Sequence, residues 1–180
     1  MDSPPQLGPE QRAILARAEL LVLDVDGVLT DGRVVWCGGT EVQSFHAHDG
    51  QGLRWLQARG VRVAWISGRG CEATERRAAE LGVDELHLRS ADKGAVLRSV
   101  QGRLGLAPGA TVAMGDDLPD LALAEDSAFF CAPADARREL RARADWVTSS
   151  PGGSGAVREL AELILCAQGH WEAGGDSSGP

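Results

Sequence analysis

Apolar positions in this chain come in short blocks separated by amphipathic stretches. LLVLDV (20–25), VRVAWI (61–66), ELHL (85–88), TVAM (111–114), AFFCA (128–132) and DWVT (145–148) are brief, β-rich or continuously apolar runs. Their length and flanking turn residues predict strands. Between them lie segments with helical spacing at 49–60, 71–82, 92–105, 118–125, 135–144 and 156–167, and a first short helix at 10–18. Gly60 and Gly82 stand where helix C-caps are expected, Asp92 where an N-cap is, and Pro119 in a first turn. Continuous apolar strands alternating with helices predict an α/β fold with a doubly wound, mainly parallel sheet covered on both faces. RVVW (33–36) and EVQSF (41–45) flank CGGT (37–40), which predicts a protruding β-hairpin. The expected organisation is a loose segment 1–9, one domain over 10–167 and a flexible tail 168–180.

In such a sheet, ligands bind at the carboxyl ends of the strands. Asp24 and Asp26, Ser67, and Asp116 fall at three of those ends. Alternate strand residues share a side, so Asp24 and Asp26 could face one pocket. An EF-hand counted from Asp24 needs glycine at 29 and glutamate at 35, where Leu29 and Val35 stand. No phosphate-binding GxxxxGK[ST] loop and no GxGxxG turn is present. The run MGDDLPD (114–120) brings Asp116, Asp117 and Asp120 to a second strand end. Two acidic clusters on neighbouring strand tips repel unless a cation lies between them, and all-oxygen donors suit Mg²⁺.

Composition narrows the rest. The 180 residues carry a net charge of −8, which argues against a general nucleic-acid binder. No signal peptide or membrane-length apolar run is evident, so the expected location is cytoplasmic. The four cysteines lack metal spacing and are expected to be reduced core residues. Of 18 basic residues, 17 are arginine and Lys93 is the one lysine. It sits at a helix N-terminus, where a point charge and the helix dipole favour phosphate. Ser67 and the Gly68 backbone could bind phosphate oxygens too. Together these parts suit phosphoryl transfer, with Asp24 attacking phosphorus to form an aspartyl-phosphate and Asp26 as acid, then base.

LDVDGVLTDG, ISGR, DK and MGDDLPDL, in that order, resemble the four motifs of haloacid-dehalogenase-like phosphatases. DVDGVLTDG, FHAHDGQG, LGVDEL, DARRELRARADWVT and PGGSGAVREL resemble more narrowly the 3-deoxy-D-manno-octulosonate 8-phosphate (KDO 8-phosphate) phosphatases, over roughly 18–167. The resemblance implies Mg²⁺ held by Asp24, Asp116 and the Asp26 carbonyl, with Asp117 and Asp120 around the metal's waters. It implies Ser67, Gly68 and Lys93 on the phosphoryl group. It also implies release of phosphate from KDO 8-phosphate, a step towards lipopolysaccharide, by a homotetramer sharing the hairpin 33–45. Ser67 stands where the family commonly has threonine and keeps the hydroxyl. Arg69, Asp49 and Gly50 are candidate substrate contacts, and His46 and His48 candidate rim residues. The short connections between motifs leave no room for a lid domain. The apolar hairpin residues Val34, Val35, Trp36 and Val42 are the expected subunit surface. Two rival readings are a phosphatase of a nine-carbon sugar acid, such as 2-keto-3-deoxynonulosonate 9-phosphate, and a non-catalytic oligomerisation module like that fused to sialic-acid-activating nucleotidyltransferases.

Overall fold

Residues 7–171 are described in a computed structural model of the chain. Helix α1 (Pro9–Leu15) leads into strand β1 (Leu20–Leu23), whose four residues are all buried. Strands β2 (Val35–Cys37) and β3 (Thr40–Val42) form a separate antiparallel hairpin. The chain continues through α2 (Ala47–Ala58), β4 (Arg62–Ile66), α3 (Glu72–Leu81), β5 (Glu85–His87) and α4 (Lys93–Leu104). It ends with β6 (Thr111–Met114), α5 (Leu121–Glu125), β7 (Phe129–Ala132), α6 (Arg138–Arg143), β8 (Trp146–Val147) and α7 (Ala156–Ala167).

Six strands make one parallel sheet in the order β5-β4-β1-β6-β7-β8. β1 lies in the middle, in register with β4 on one side (Leu23 opposite Trp65) and β6 on the other (Leu23 opposite Met114). The chain first builds outward through β4 and β5, then crosses back over β1 to β6. That reversal opens a crevice at the carboxyl end of β1. Alternate strand residues face opposite cores. Leu21, Leu23, Val63, Trp65 and Met114 pack with Leu53 and Leu56 of α2 and Leu160 and Ile164 of α7. Leu20, Val22, Ala64, Ile66 and Phe130 pack with Leu97 and Val100 of α4, Leu123 of α5 and Leu140 of α6. Each buried Val, Leu, Ile, Phe or Met among them contributes roughly 1.5–3 kcal/mol on leaving water. The three strands that carry the acidic and hydroxyl tips are thereby fixed on both faces.

Four expectations change. The helix expected over 118–125 begins as a 3₁₀ turn (Leu118–Asp120), because Asp117 accepts from the Leu118 N–H and Asp120 reaches back to the N–H groups of Asp116 and Asp117. The helix expected from 135 starts at Arg138, because the Asp135 carboxylate is committed to the Gly152 N–H. Cys37 is exposed on the hairpin, whereas Cys71 and Cys131 are buried. Gln168 and Trp171 of the expected tail are held against the domain. The Gln168 side chain donates to the Ala18 carbonyl, and Trp171 lies on Trp55 with the Arg158 guanidinium over both rings. The remainder of that tail and residues 1–6 of the expected N-terminal segment lie outside the described residues.

Candidate active site

The carboxyl end of β1 delivers Asp24 into the crevice, where it is 4% exposed. β6 brings Asp116 beside it, and the turn after β6 brings Asp120, which is 1% exposed. Carboxylate oxygens from these three residues lie within 4.8 Å of one another. From the opposite wall, Lys93 enters at the first residue of α4, a helix capped by the Asp92 carboxylate on the Ala95 N–H. Its Nζ donates to Asp24 Oδ1 and Asp120 Oδ1, both at 2.5 Å.

Three carboxylates against one ammonium leave two negative charges without a partner. Burial therefore pushes the Asp24 carboxyl well up, aided by the Asp120 charge and opposed by Lys93. Burial and Asp120 likewise raise Asp116, to about 7. Burial alone would lower Lys93, but the Asp24 and Asp120 charges outweigh it and hold the ammonium above its usual range. A divalent cation would supply the missing charge, and the carboxylate donor set fits Mg²⁺.

Asp26 points elsewhere. Its Oδ1 accepts from the Gln43 amide at 3.0 Å and its Oδ2 from the Ser67 hydroxyl at 3.2 Å. The Ser67 oxygen also accepts from the Arg69 N–H at 3.0 Å, and Gly68 is exposed at the rim between them. Gly27, directly after Asp26, has φ +98°, and a Cβ there would overlap the Asp116 carboxylate. Only glycine lets the chain turn away from β1 at this point. The loop that follows is braced from behind. The Gly153 N–H donates to the Val28 carbonyl at 2.9 Å, and a Cβ on Gly152 would overlap the Gly27 carbonyl.

The chain as a whole is similar to proteins of known kind. A profile for haloacid dehalogenase-like hydrolases matches residues 85–160. The KDO 8-phosphate phosphatase of Escherichia coli K12 is 40% identical over 167 residues, covering 90% of this chain and 88% of its own. A solved structure of the Moraxella catarrhalis KDO 8-phosphate phosphatase, holding a magnesium ion, a phosphate ion and KDO, shares 36% identity and superposes with a TM-score of 0.87 over 89% of this chain and 93% of its own. The cobalt-bound phosphatase of Haemophilus influenzae gives 0.85 at 35% identity, covering 87% and 92%. The chain belongs to the KDO 8-phosphate phosphatase family of haloacid dehalogenase-like hydrolases.

Membership of this family gives the remaining candidates a frame. Asp117 is exposed and caps the turn after β6, whereas Asp120 is the acid that touches Lys93. Arg69 is half exposed and paired with Glu41 at 2.7 Å. Asp49 does not offer a substrate contact. It is 1% exposed, and its two oxygens accept from the Arg158 N–H at 2.8 Å and the Gly155 N–H at 3.4 Å, which ties α2 to the start of α7. Gly50 is buried against Arg77 and Leu81 of α3, so it serves helix packing rather than ligand approach. His46 precedes α2, and its ring meets His48 edge-on. Gln43 and Thr74 were not expected near the site. A lone glutamine past a hairpin and a threonine in a helix carry no sequence pattern; the contacts that enlist them span 17 and 31 residues.

Proposed function

We propose that the protein is a Mg²⁺-dependent phosphatase that converts KDO 8-phosphate to KDO and phosphate through an aspartyl-phosphate, in the supply of lipopolysaccharide precursor. The observation that carries this reading is the 40% identity to a KDO 8-phosphate phosphatase across nearly the whole of both chains. The filled catalytic positions argue against a non-catalytic assembly module.

Mg²⁺ would be held by the Asp24 and Asp116 carboxylates and the Asp26 carbonyl, and when bound it offsets charge on the phosphoryl oxygens. Lys93, the Ser67 hydroxyl and the Gly68 N–H bind the same oxygens, which spread the transition-state charge. Asp24 attacks phosphorus as the bond to the sugar oxygen breaks. Asp26 gives its proton to that departing oxygen. Asp26 then takes a proton from water as the water attacks the aspartyl-phosphate, which frees phosphate and restores Asp24. Lys93 fixes one Asp24 oxygen, leaving the other to attack.

Phosphate release is measured with Mg²⁺ on KDO 8-phosphate, 2-keto-3-deoxynonulosonate 9-phosphate and simple hexose phosphates. The expected result is a clear preference for KDO 8-phosphate; comparable rates on all would remove the substrate assignment. Asp24→Asn should lower turnover by on the order of 10³-fold or more, and retention of wild-type turnover would remove the mechanism.

A further inference from the structure

We propose that Gln43, on the hairpin's exit, is the positioning residue for the acid Asp26, with Thr74 of α3 orienting Gln43 in turn. Thr74 is buried, and its Oγ1 donates to Gln43 Oε1 at 2.5 Å. Gln43 Nε2 donates to Asp26 Oδ1 at 3.0 Å. A helical threonine hydroxyl ordinarily bonds back to its own helix; this one is directed at the hairpin instead. The relay has one polarity. A flipped Gln43 amide would set its carbonyl against the Asp26 carboxylate, so Asp26 selects the NH₂ end, and the Thr74 hydroxyl, donating to the carbonyl end, pins the side chain in place.

The consequence concerns which Asp26 oxygen carries a proton. Oδ1 faces an N–H donor and is held as an acceptor. A proton there would meet the amide hydrogen head-on. Oδ2 faces the Ser67 hydroxyl, which unlike an amide N–H can turn from donor to acceptor, so the transferable proton sits on Oδ2, towards the phosphoryl side. The other group near Oδ1 is Arg69, whose Nε stays at 3.9 Å while its Nη2 is held at 2.7 Å by Glu41. Glu41 and Gln43 are two apart on the hairpin's second arm and so project to one side. One arm thus supplies both the amide that aligns Asp26 and the carboxylate that holds Arg69 off it.

This inference rests on the phosphatase reading and deepens it. The test uses leaving-group dependence. An alkyl leaving group needs its proton as it departs, whereas p-nitrophenolate leaves with little help. kcat/KM, which reports the step where the leaving group departs, is measured for a sugar phosphate and for p-nitrophenyl phosphate. Gln43→Ala should lower the sugar phosphate value by roughly 10- to 100-fold, a part of what a general acid supplies. The p-nitrophenyl phosphate value should change by less than about threefold. Thr74→Val should move the ratio the same way and Thr74→Ser should restore it. The double variant Q43A/T74V should be no worse than Q43A, as expected of one relay. Each single variant tests the relay alone should the other fail to fold. An equal loss on both substrates, or weakened inhibition by inorganic phosphate, would overturn the inference while leaving the phosphatase reading intact. A wild-type protein that hydrolyses neither substrate would remove both.

Discussion

Gly152→Ala adds a single methyl group, and its effect can be worked from the structure. The new Cβ would overlap the Gly27 carbonyl oxygen and stand 3.2 Å from the Thr30 carbonyl oxygen. Gly152 does not need a left-handed conformation, so alanine fits its backbone and the cost is steric. Both obstructing atoms are main chain, which cannot rotate aside as a side chain would. Overpacking of this kind costs about 1–3 kcal/mol. For a domain of this size that lowers Tm by roughly 2–4 °C per kcal/mol, so a fall of about 2–12 °C is expected. The displaced peptide joins Gly27 to Val28, one residue beyond Asp26. A shift near 1 Å there should lower kcat by on the order of 10²-fold, out of proportion to the stability lost. Gly102→Ala is the control. It lies exposed within α4 with open space around it, and replacing a helical glycine should stabilise by about 0.5–1 kcal/mol. Thermal unfolding and phosphate release are read on both variants. If Gly152→Ala kept wild-type Tm and turnover, the PGGSG loop would not be a rigid brace for the catalytic loop.

Three further outcomes follow from the site and the hairpin. Lys93→Ala leaves Asp24 and Asp120 buried without their cation; it should destabilise the metal-free protein by roughly 3–5 kcal/mol and lower turnover by on the order of 10²- to 10³-fold, read by denaturant unfolding and phosphate release. Asp116 has a folded-state value raised to about 7, so its protonated form favours folding. That contribution is complete below the ordinary carboxylate range and is lost as pH rises through about 7. Tm in a chelator should therefore fall between pH 5.5 and 8, and the increment added by Mg²⁺ should be larger at pH 8; equal increments would refute the charge accounting. Trp36 is 65% exposed beside Val34, Val35 and Val42. If that face joins subunits, Trp36→Asp should lower the sedimenting mass, and an unchanged mass would place the subunit contact elsewhere.

The alternation of buried strands and amphipathic helices was readable because the central strands β1, β4, β6 and β7 are apolar on both faces. TVAM at 111–114 and the helix at 156–167 match to the residue. Asp24, Ser67, Lys93 and Asp116 could be placed because strand ends converge by topology alone. Local sequence could not show that Asp135 would be captured by Gly152 and delay its helix, or that Asp49 would turn inward to the start of α7. Both acids are committed to backbone donors far along the chain. The same limit hid Gln43 and Thr74, whose roles exist only once the hairpin folds against α3.

Lys93 gives the protein an unusual chemical handle. It is the single ε-amine among 180 residues, and the folded chain leaves it 7% exposed. Two carboxylates keep it protonated, and an ammonium does not react with acylating reagents. Amine-directed dyes and crosslinkers should therefore leave this side chain untouched while the crevice is closed. Its acylation, located by mass spectrometry, would mark the moment at which α4 parts from the β1 tip, so one covalent tag would time the opening of the site.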